Sequence, residues 1–397
     1  MTDGAVTSVD ADVDGDAATR THAHRPCYDG WNDPLLEAQH DPLWRVEFSL
    51  HAFAHGTVHG SLLPIATCEG SLFSAPPPDE LGELLTVIIT SSPVRSNPST
   101  RMLQECVASL DVHGGLASCR KLIMCDGFKR RARSRPKVGI VTDAEAALYT
   151  EYVAAVGELC RSDAPGFARA RKVRLARRQG SAYAIREALE GHVTTPFVLI
   201  VPHDCVIARP VPLRRLAAAM EASDSSVRYV KLLGQSTLTY VQAVLSQHGV
   251  RLAPTTAHGD GLPLWPMLRY MDNVALVSAR FLRDEVFARG SPVRRATFIE
   301  DTFGKTLQMH RWLGSAAFAR REPPQCGCFL FDDGAGVPMM RHLDGKVYLG
   351  PEQRAAAGLP PMKTDWTADL AASAAQQVQG AGAAANAAAD ATNAALA

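Results

Sequence analysis

Three uninterrupted apolar runs constrain this chain most: LLTVIIT (Leu84–Thr90), LIMC within KLIMCDG (Lys121–Gly127) and PFVLIV (Pro196–Val201). A strand with one wet face alternates apolar and polar residues, whereas runs like these read as strands covered on both faces, the signature of a mostly parallel sheet packed between helices. The intervening segments agree. TRMLQECVASL, residues 144–160 and SAYAIREALEG (Ser181–Gly191) place apolar residues at helical spacing, and KVRLA supplies a further short strand. The fold class that follows is α/β, a mostly parallel central sheet flanked by helices. In such sheets ligands gather outside the carboxyl ends of the strands, and each run here stops on polar residues: Thr90 and Ser91, then Asp126, then His203 and Asp204.

The chain divides by composition into four parts. Residues 1–40 are rich in Asp, Ala, Thr, Gly and His without periodicity and read as a disordered segment, whose His22 and His24 belong to a solvated tail. Residues 41–80 alternate as a β-hairpin extension and end in the stiff connector APPPDE; residues 81–355 form the catalytic-sized α/β domain; residues 356–397 are an Ala-rich low-complexity tail. Beyond Pro210 the expected elements are a helix over 213–223, strand VRYVKLL, helix TYVQAVLSQHG, a loop over 253–265 carrying His258, Asp260 and Trp265 as an acceptor wall or lid, strand NVALVS, helix ARFLRDEVFARG, a helix over 301–313, strand CGCFLF and the segment MMRHLDG. Met271, Asp272 and Asn273 read as a cap before NVALVS, with a sugar-holding acid as the other reading.

Charge selects no partner, because Lys+Arg and Asp+Glu are 41 each. The basic run KRRARSRPK (Lys129–Lys137) reads as a solvated loop, with an anion-binding patch as the alternative. Nine cysteines without repeated spacing read as reduced thiols, with Cys326 and Cys328 of CGC in the core. The acidic start lacks the features of a secretory signal, and no window reaches the length of a membrane span; a cytoplasmic location is the expectation.

The strings VIITSSPVR (Val87–Arg95), LIMCDGF (Leu122–Phe128), FVLIVPHDCVI (Phe197–Ile207) and FIEDTFG (Phe298–Gly304), in that order, resemble the family-2-like nucleotide-sugar glycosyltransferases of the glycosyltransferase-A fold over roughly residues 84–350. The resemblance implies a glycosyltransferase-A-like domain and inverting transfer of a sugar from a nucleotide-diphosphate donor to a carbohydrate or other hydroxyl acceptor; no nucleic-acid partner and no membrane span are expected. Thr90, Ser91 and Arg95 would lie near the nucleotide and Asp126 would meet the base. Asp204, with His203 and His342, would hold a divalent cation, Mn or Mg; Asp301, beside Glu300, would be the general base that activates the acceptor. One departure stands out: Pro202 replaces the first acid of the family's DxD-type motif. QMHRW (Gln308–Trp312) matches a string of processive members in the wrong place and reads as coincidence. The residues also allow plain readings, in which Asp126, Asp204 and Asp301 cap turns or helices. The alternative at the level of function is a catalytically inactive sugar- or nucleotide-binding protein. A nucleotidylyltransferase or Rossmann enzyme is disfavoured because no Gly-rich loop follows the first strand.

Overall fold

The computed structural model describes residues 78–162, 164–222, 225–255, 261–343, 348 and 355–356. The expected hairpin, both low-complexity ends, His258 and Asp260 lie outside the described residues. Helix α1 (Pro78–Leu84), which takes up the last residues of the expected connector, leads straight into β1 (Leu85–Ser91). In β1, Leu85, Val87, Ile88 and Ile89 are fully buried, and strands β2 (Arg120–Cys125) and β6 (Phe197–Pro202) flank it, both parallel. Each such side chain contributes about 1.5–3 kcal/mol on leaving water, which fixes these three strands as the centre of the core.

Eight strands form the main sheet in the order β5-β2-β1-β6-β10-β8-β11-β9, where β5 is Ala170–Arg174, β8 Tyr229–Leu232, β9 Leu264–Pro266, β10 Ala275–Ser278 and β11 Cys328–Phe331. Strand β10 runs antiparallel between β6 and β8, and β9 antiparallel on the far edge; the other pairings are parallel. Because β10 is reversed, its beginning, next to Asp272 and Asn273, lies at the end of the sheet where β1, β2 and β6 finish. Helices α2 (Arg101–Gly114), α3 (Asp143–Leu159), α4 (Gly180–Gly191), α5 (Leu213–Glu221) and α6 (Tyr240–His248) follow the expected segments within a few residues. Thr142 opens α3 with a capping box, its hydroxyl accepting from the Glu145 N–H while the Glu145 carboxylate accepts from the Thr142 N–H.

Several features were not expected. The basic run is not a featureless loop: Lys129–Arg130 (β3) and Ile140–Val141 (β4) pair as a small ribbon. Cys205–Ile207 (β7) pairs antiparallel with Met340–His342 (β12), beside the main sheet. The helices after β10 are π-wound over Leu282–Val286 and Glu300–Met309, so the expected helix over 301–313 is widened for most of its length. Gln308 and Trp312 of QMHRW are structural: Gln308 accepts from the Tyr270 N–H, and buried Trp312 donates to the Glu322 carbonyl. Cys326 is half-buried and Cys328 buried, both as free thiols. Among the described residues no helix is long and apolar enough to cross a membrane.

Gly127 joins β2 to the ribbon at a close backbone crossing. A Cβ there would lie 2.3 Å from the Arg177 carbonyl carbon and 2.6 Å from its oxygen, contacts that only a backbone shift relieves. Gly127→Ala is therefore expected to lower the unfolding free energy by about 2–3 kcal/mol, read as a lower midpoint in urea at unchanged slope.

Candidate active site at the carboxyl end of the sheet

The register sets the site. Thr90 aligns with Met124 on one side and Pro202 on the other, which brings Ser91, Asp126 and His203 to one level. The Asp126 N–H donates to the Ser91 carbonyl at 2.8 Å, and the His203 N–H donates to the Thr90 carbonyl at 2.9 Å, so each chain is pinned where it leaves the sheet.

Asp126 is buried, and its carboxylate is engaged. Oδ1 accepts from the backbone N–H of Gly127 (2.8 Å) and Gln179 (2.7 Å), and Oδ2 from Gly180 (2.9 Å), the first residue of α4. A carboxylate at a helix N-terminus satisfies donors that the helix cannot. Burial pushes its pKa up; the three backbone donors and Arg178 pull the other way. Asp126 thus ties β2 to α4, a role not read from the sequence. The tie extends further: Gln179 O accepts from the Ala296 N–H, and Gly180 packs so closely that a Cβ would lie 2.6 Å from Ala296 Cα. Residues 296–300 then run from the Asp126 side of the site to the acids at Glu300 and Asp301.

His203 is buried at the end of β6. Its Nδ1 lies 3.0 Å from the Thr90 carbonyl, an oxygen that can only accept, so Nδ1 is the donor in this contact, and in the tautomer that this fixes the ring lone pair falls on Nε2. That Nε2 is buried without a hydrogen-bond partner. The next residue, Asp204, meets His342: ribbon β7–β12 aligns His342 with Cys205 and places its Nε2 3.2 Å from Asp204 Oδ2. Ligand atoms of Asp204, Cys205 and His342 all lie within 4.8 Å of one another. Cys205 is fully buried, and burial, then the Asp204 charge, push its thiol pKa well up, so it remains a protonated donor toward Asp204. The oxygen and nitrogen of Asp204 and His342 suit a hard or borderline divalent cation; the protonated thiol does not. The expected pairing of Asp204 with His342 is present, while His203 stands outside that cluster with its ring committed to Thr90.

The remaining expected residues divide. Ser91 turns into the core, its hydroxyl 2.9 Å from that of Tyr152. Thr90 contributes through its carbonyl, and Arg95 is exposed on the loop after β1. On that loop the neighbouring Ser96 and Asn97 are buried, with Oγ and Nδ2 unpartnered, a pair that polarity alone did not distinguish from ordinary turn residues.

Glu300 and Asp301 part company. Glu300 faces inward, accepting from Arg269 at 2.8 Å and from the Asp272 N–H at 3.1 Å; Asp272 Oδ2 in turn accepts from the Glu300 N–H at 3.2 Å. Asp301 faces out, 3.0 Å from Lys305 one turn along. Neither acid caps its helix through the side chain. Beneath Asp272, the fully buried Lys231 of β8 donates to the Asp272 carbonyl at 2.8 Å, and Asn273 adopts φ 109°, a strained region for a residue with a side chain. Burial, then the Glu300 charge, raise the Asp272 pKa from 3.8 to about 7; burial lowers that of Lys231 from 10.5 to about 8 against the pull of Glu300 and Asp272. The sequence offered Asp272 only as a cap or sugar-holding acid; the positive φ and the buried lysine that mark it depend on tertiary neighbours.

No protein-family model matches this sequence, and no curated protein matches it. Solved structures similar to it include S. aureus TarS 1–349 in complex with UDP-GlcNAc, at 14% identity and TM-score 0.36, covering 68% of this chain and 62% of that one. GalNAc-T7 with UDP, GalNAc and Mn²⁺ aligns at 10% identity and TM-score 0.35, covering 68% and 45%. Glucosyl-3-phosphoglycerate synthase from Mycobacterium tuberculosis with Mg²⁺ and UDP aligns at 11% identity and TM-score 0.26, covering 51% and 59%. The chain thus spans less than two thirds of each of these structures, and scores of this size leave its function to be argued from its own residues.

Folded Asp272 keeps its proton to about pH 7, whereas the unfolded chain releases it near 3.8, so the stability it contributes is complete below about pH 4 and is lost as pH rises to about 7. Lys231 gives up its proton near 8 when folded and 10.5 when unfolded, so its contribution is complete above 10.5 and lost as pH falls to about 8. Urea unfolding of the protein should weaken between pH 4 and 7 more steeply than that of Asp272→Asn, whose slope over that window is predicted to be smaller.

Proposed function

We propose that the chain is a glycosyltransferase of the glycosyltransferase-A type that moves a sugar from a nucleotide diphosphate to a hydroxyl acceptor. The observation that carries the reading is the meeting of Asp204 and His342, distant in sequence, at the end of the central strands. Their level is that of Thr90 and Asp126, where an α/β sheet holds its ligands. Asp204 and His342 would hold a divalent cation there. Such a cation neutralises charge on the departing diphosphate. His203, oriented by the Thr90 carbonyl, offers Nε2 to the same region as an acceptor. The nucleotide lies along the β1 loop, past Ser96 and Asn97 toward Asp126.

Transfer is a single inverting displacement. The acceptor hydroxyl gives its proton to a carboxylate, its oxygen bonds to the anomeric carbon, and the bond from that carbon to the diphosphate breaks with its electron pair on the phosphate oxygen. Asp301, outward-facing on the widened helix, is the base in this reading, and Glu300 anchors that helix to Arg269 and Asp272. The wide π turn supports it, since such turns recur at functional sites. Pro202 in place of a first acid leaves the cation with fewer protein carboxylates, so the substrate diphosphate itself supplies much of its charge.

The test is calorimetry with a panel of nucleoside diphosphates and their sugars, with and without Mn²⁺. Binding of one nucleotide is expected to tighten with Mn²⁺ and to weaken about 10–100-fold in Asp204→Ala and His342→Ala. No binding by any member of the panel would overturn the reading; binding without turnover of any acceptor would favour the inactive binding protein. With the donor in hand, Asp301→Asn is expected to lower kcat by about 10²–10⁴-fold at nearly unchanged donor affinity.

A further inference from the structure

The chain is electrically balanced, yet its cations are not evenly spread. Lys129, Arg130, Arg131, Arg133 and Arg135 are all exposed on or beside the β3–β4 ribbon, with no acid between Phe128 and Thr142. A second basic stretch, without an acid from residue 164 to residue 186, contributes exposed Arg171, Arg174 and Arg177 from β5 and the turn after it. The two stretches are one surface. Gly127 at the root of the ribbon abuts the Arg177 backbone, and Gly139 at its far side packs on the Arg178 side chain, where a Cβ would lie 3.2 Å from Arg178 Cδ. Within this surface the ion pair between a described arginine and a carboxylate is Arg130 with Asp143, at 3.5 Å and with both side chains mostly exposed, worth little in water.

Charge on the β5 edge serves in part to keep that edge from pairing with another chain. That explanation does not reach the ribbon, which lies outside the main sheet. Nor is the ribbon purely polar: Val138 is 40% exposed at the short turn Pro136–Val138, between the cations of β3 and the strand β4. Phe128, the aromatic at the ribbon's root, is half-buried, T-stacked on Tyr149 and covered by Arg130, so it offers no open face for base stacking. Cations around an exposed aliphatic side chain, without an aromatic platform, match the interface of an anionic bilayer better than that of single-stranded nucleic acid.

We infer that the β3–β4 ribbon and the adjoining β5 edge form a docking face for a membrane carrying anionic lipid. Docking there sets the Asp126 side of the site close to the bilayer, since Gly127 and Arg178 belong to both. The inference is independent of the transfer reaction and survives the loss of that reading.

The test is co-sedimentation of the full chain with phosphatidylcholine vesicles and with vesicles containing phosphatidylglycerol. Binding to the second only, suppressed as salt is raised, is expected. The variant Arg130→Glu/Arg131→Glu/Arg133→Glu should lower the partition coefficient on the order of 100-fold or more, from about fivefold per basic residue removed. Arg133→Glu alone and Val138→Ala should each give a smaller loss, and they keep the test decisive if the triple variant does not fold. Absence of binding to anionic vesicles, or binding that all three variants leave unchanged, overturns the inference. Capture of a single-stranded oligonucleotide or inorganic polyphosphate in place of vesicles overturns it as well, in favour of a soluble polyanion.

Discussion

One buried carboxylate organises this end of the molecule. Asp126 takes three backbone donors, from Gly127, Gln179 and Gly180, and so fixes how β2 ends, where α4 begins and where the 296–300 segment docks. Charge-assisted hydrogen bonds of this kind are the strong ones, and a buried helix N-terminus without them would be costly. The Asp126 side of the site is built on that clamp. Nearby at the end of β1, Thr90 performs the matching task for β6, its carbonyl accepting both the backbone N–H and the ring Nδ1–H of His203.

The opposite wall rests on half-buried charge packed over one fully buried lysine. Arg269, Glu300, Asp272 and Lys231 hold one another beside the beginning of β10, and the strained φ of Asn273 is maintained by that packing. Because Glu300 is committed to this network and Asp301 is not, two adjacent acids acquire different duties, one anchoring the π-wound helix and the other left at its outer face. The reversed strand β10 is what brings this wall level with Asp204. A wholly parallel sheet would have placed the start of that strand at the other end.

Much of this was legible in the sequence because burial on both faces leaves a plain trace. The runs at Leu84, Lys121 and Pro196 gave three central strands, and parallel connection alone located the end where Asp126, His203 and Asp204 gather. The contact of Asp204 with His342 was anticipated from family resemblance; its geometric cause, the β7–β12 ribbon, was not, since three-residue strands carry too little periodicity to be recognised. The direction of Ser91 was not legible for a physical reason: a hydroxyl at a strand end reads the same whether it faces ligand or, as here, Tyr152. Asp126 and Glu300 look like free acids in sequence because their partners are backbone groups or residues brought in by the fold. The β3–β4 ribbon was hidden by its charge, which outweighs any apolar alternation across two-residue strands.

The central claim is the proposal that Asp204 and His342 together hold a divalent cation, with a nucleoside diphosphate beside it and the base toward Asp126. Anomalous diffraction from crystals grown with Mn²⁺ and the tightest-binding nucleoside diphosphate tests it directly. The account predicts one manganese peak bonded to Asp204 and His342 and bridged to the diphosphate, with the base lying along the β1 loop toward Asp126. A nucleotide bound elsewhere, or a manganese peak remote from both residues, would contradict it.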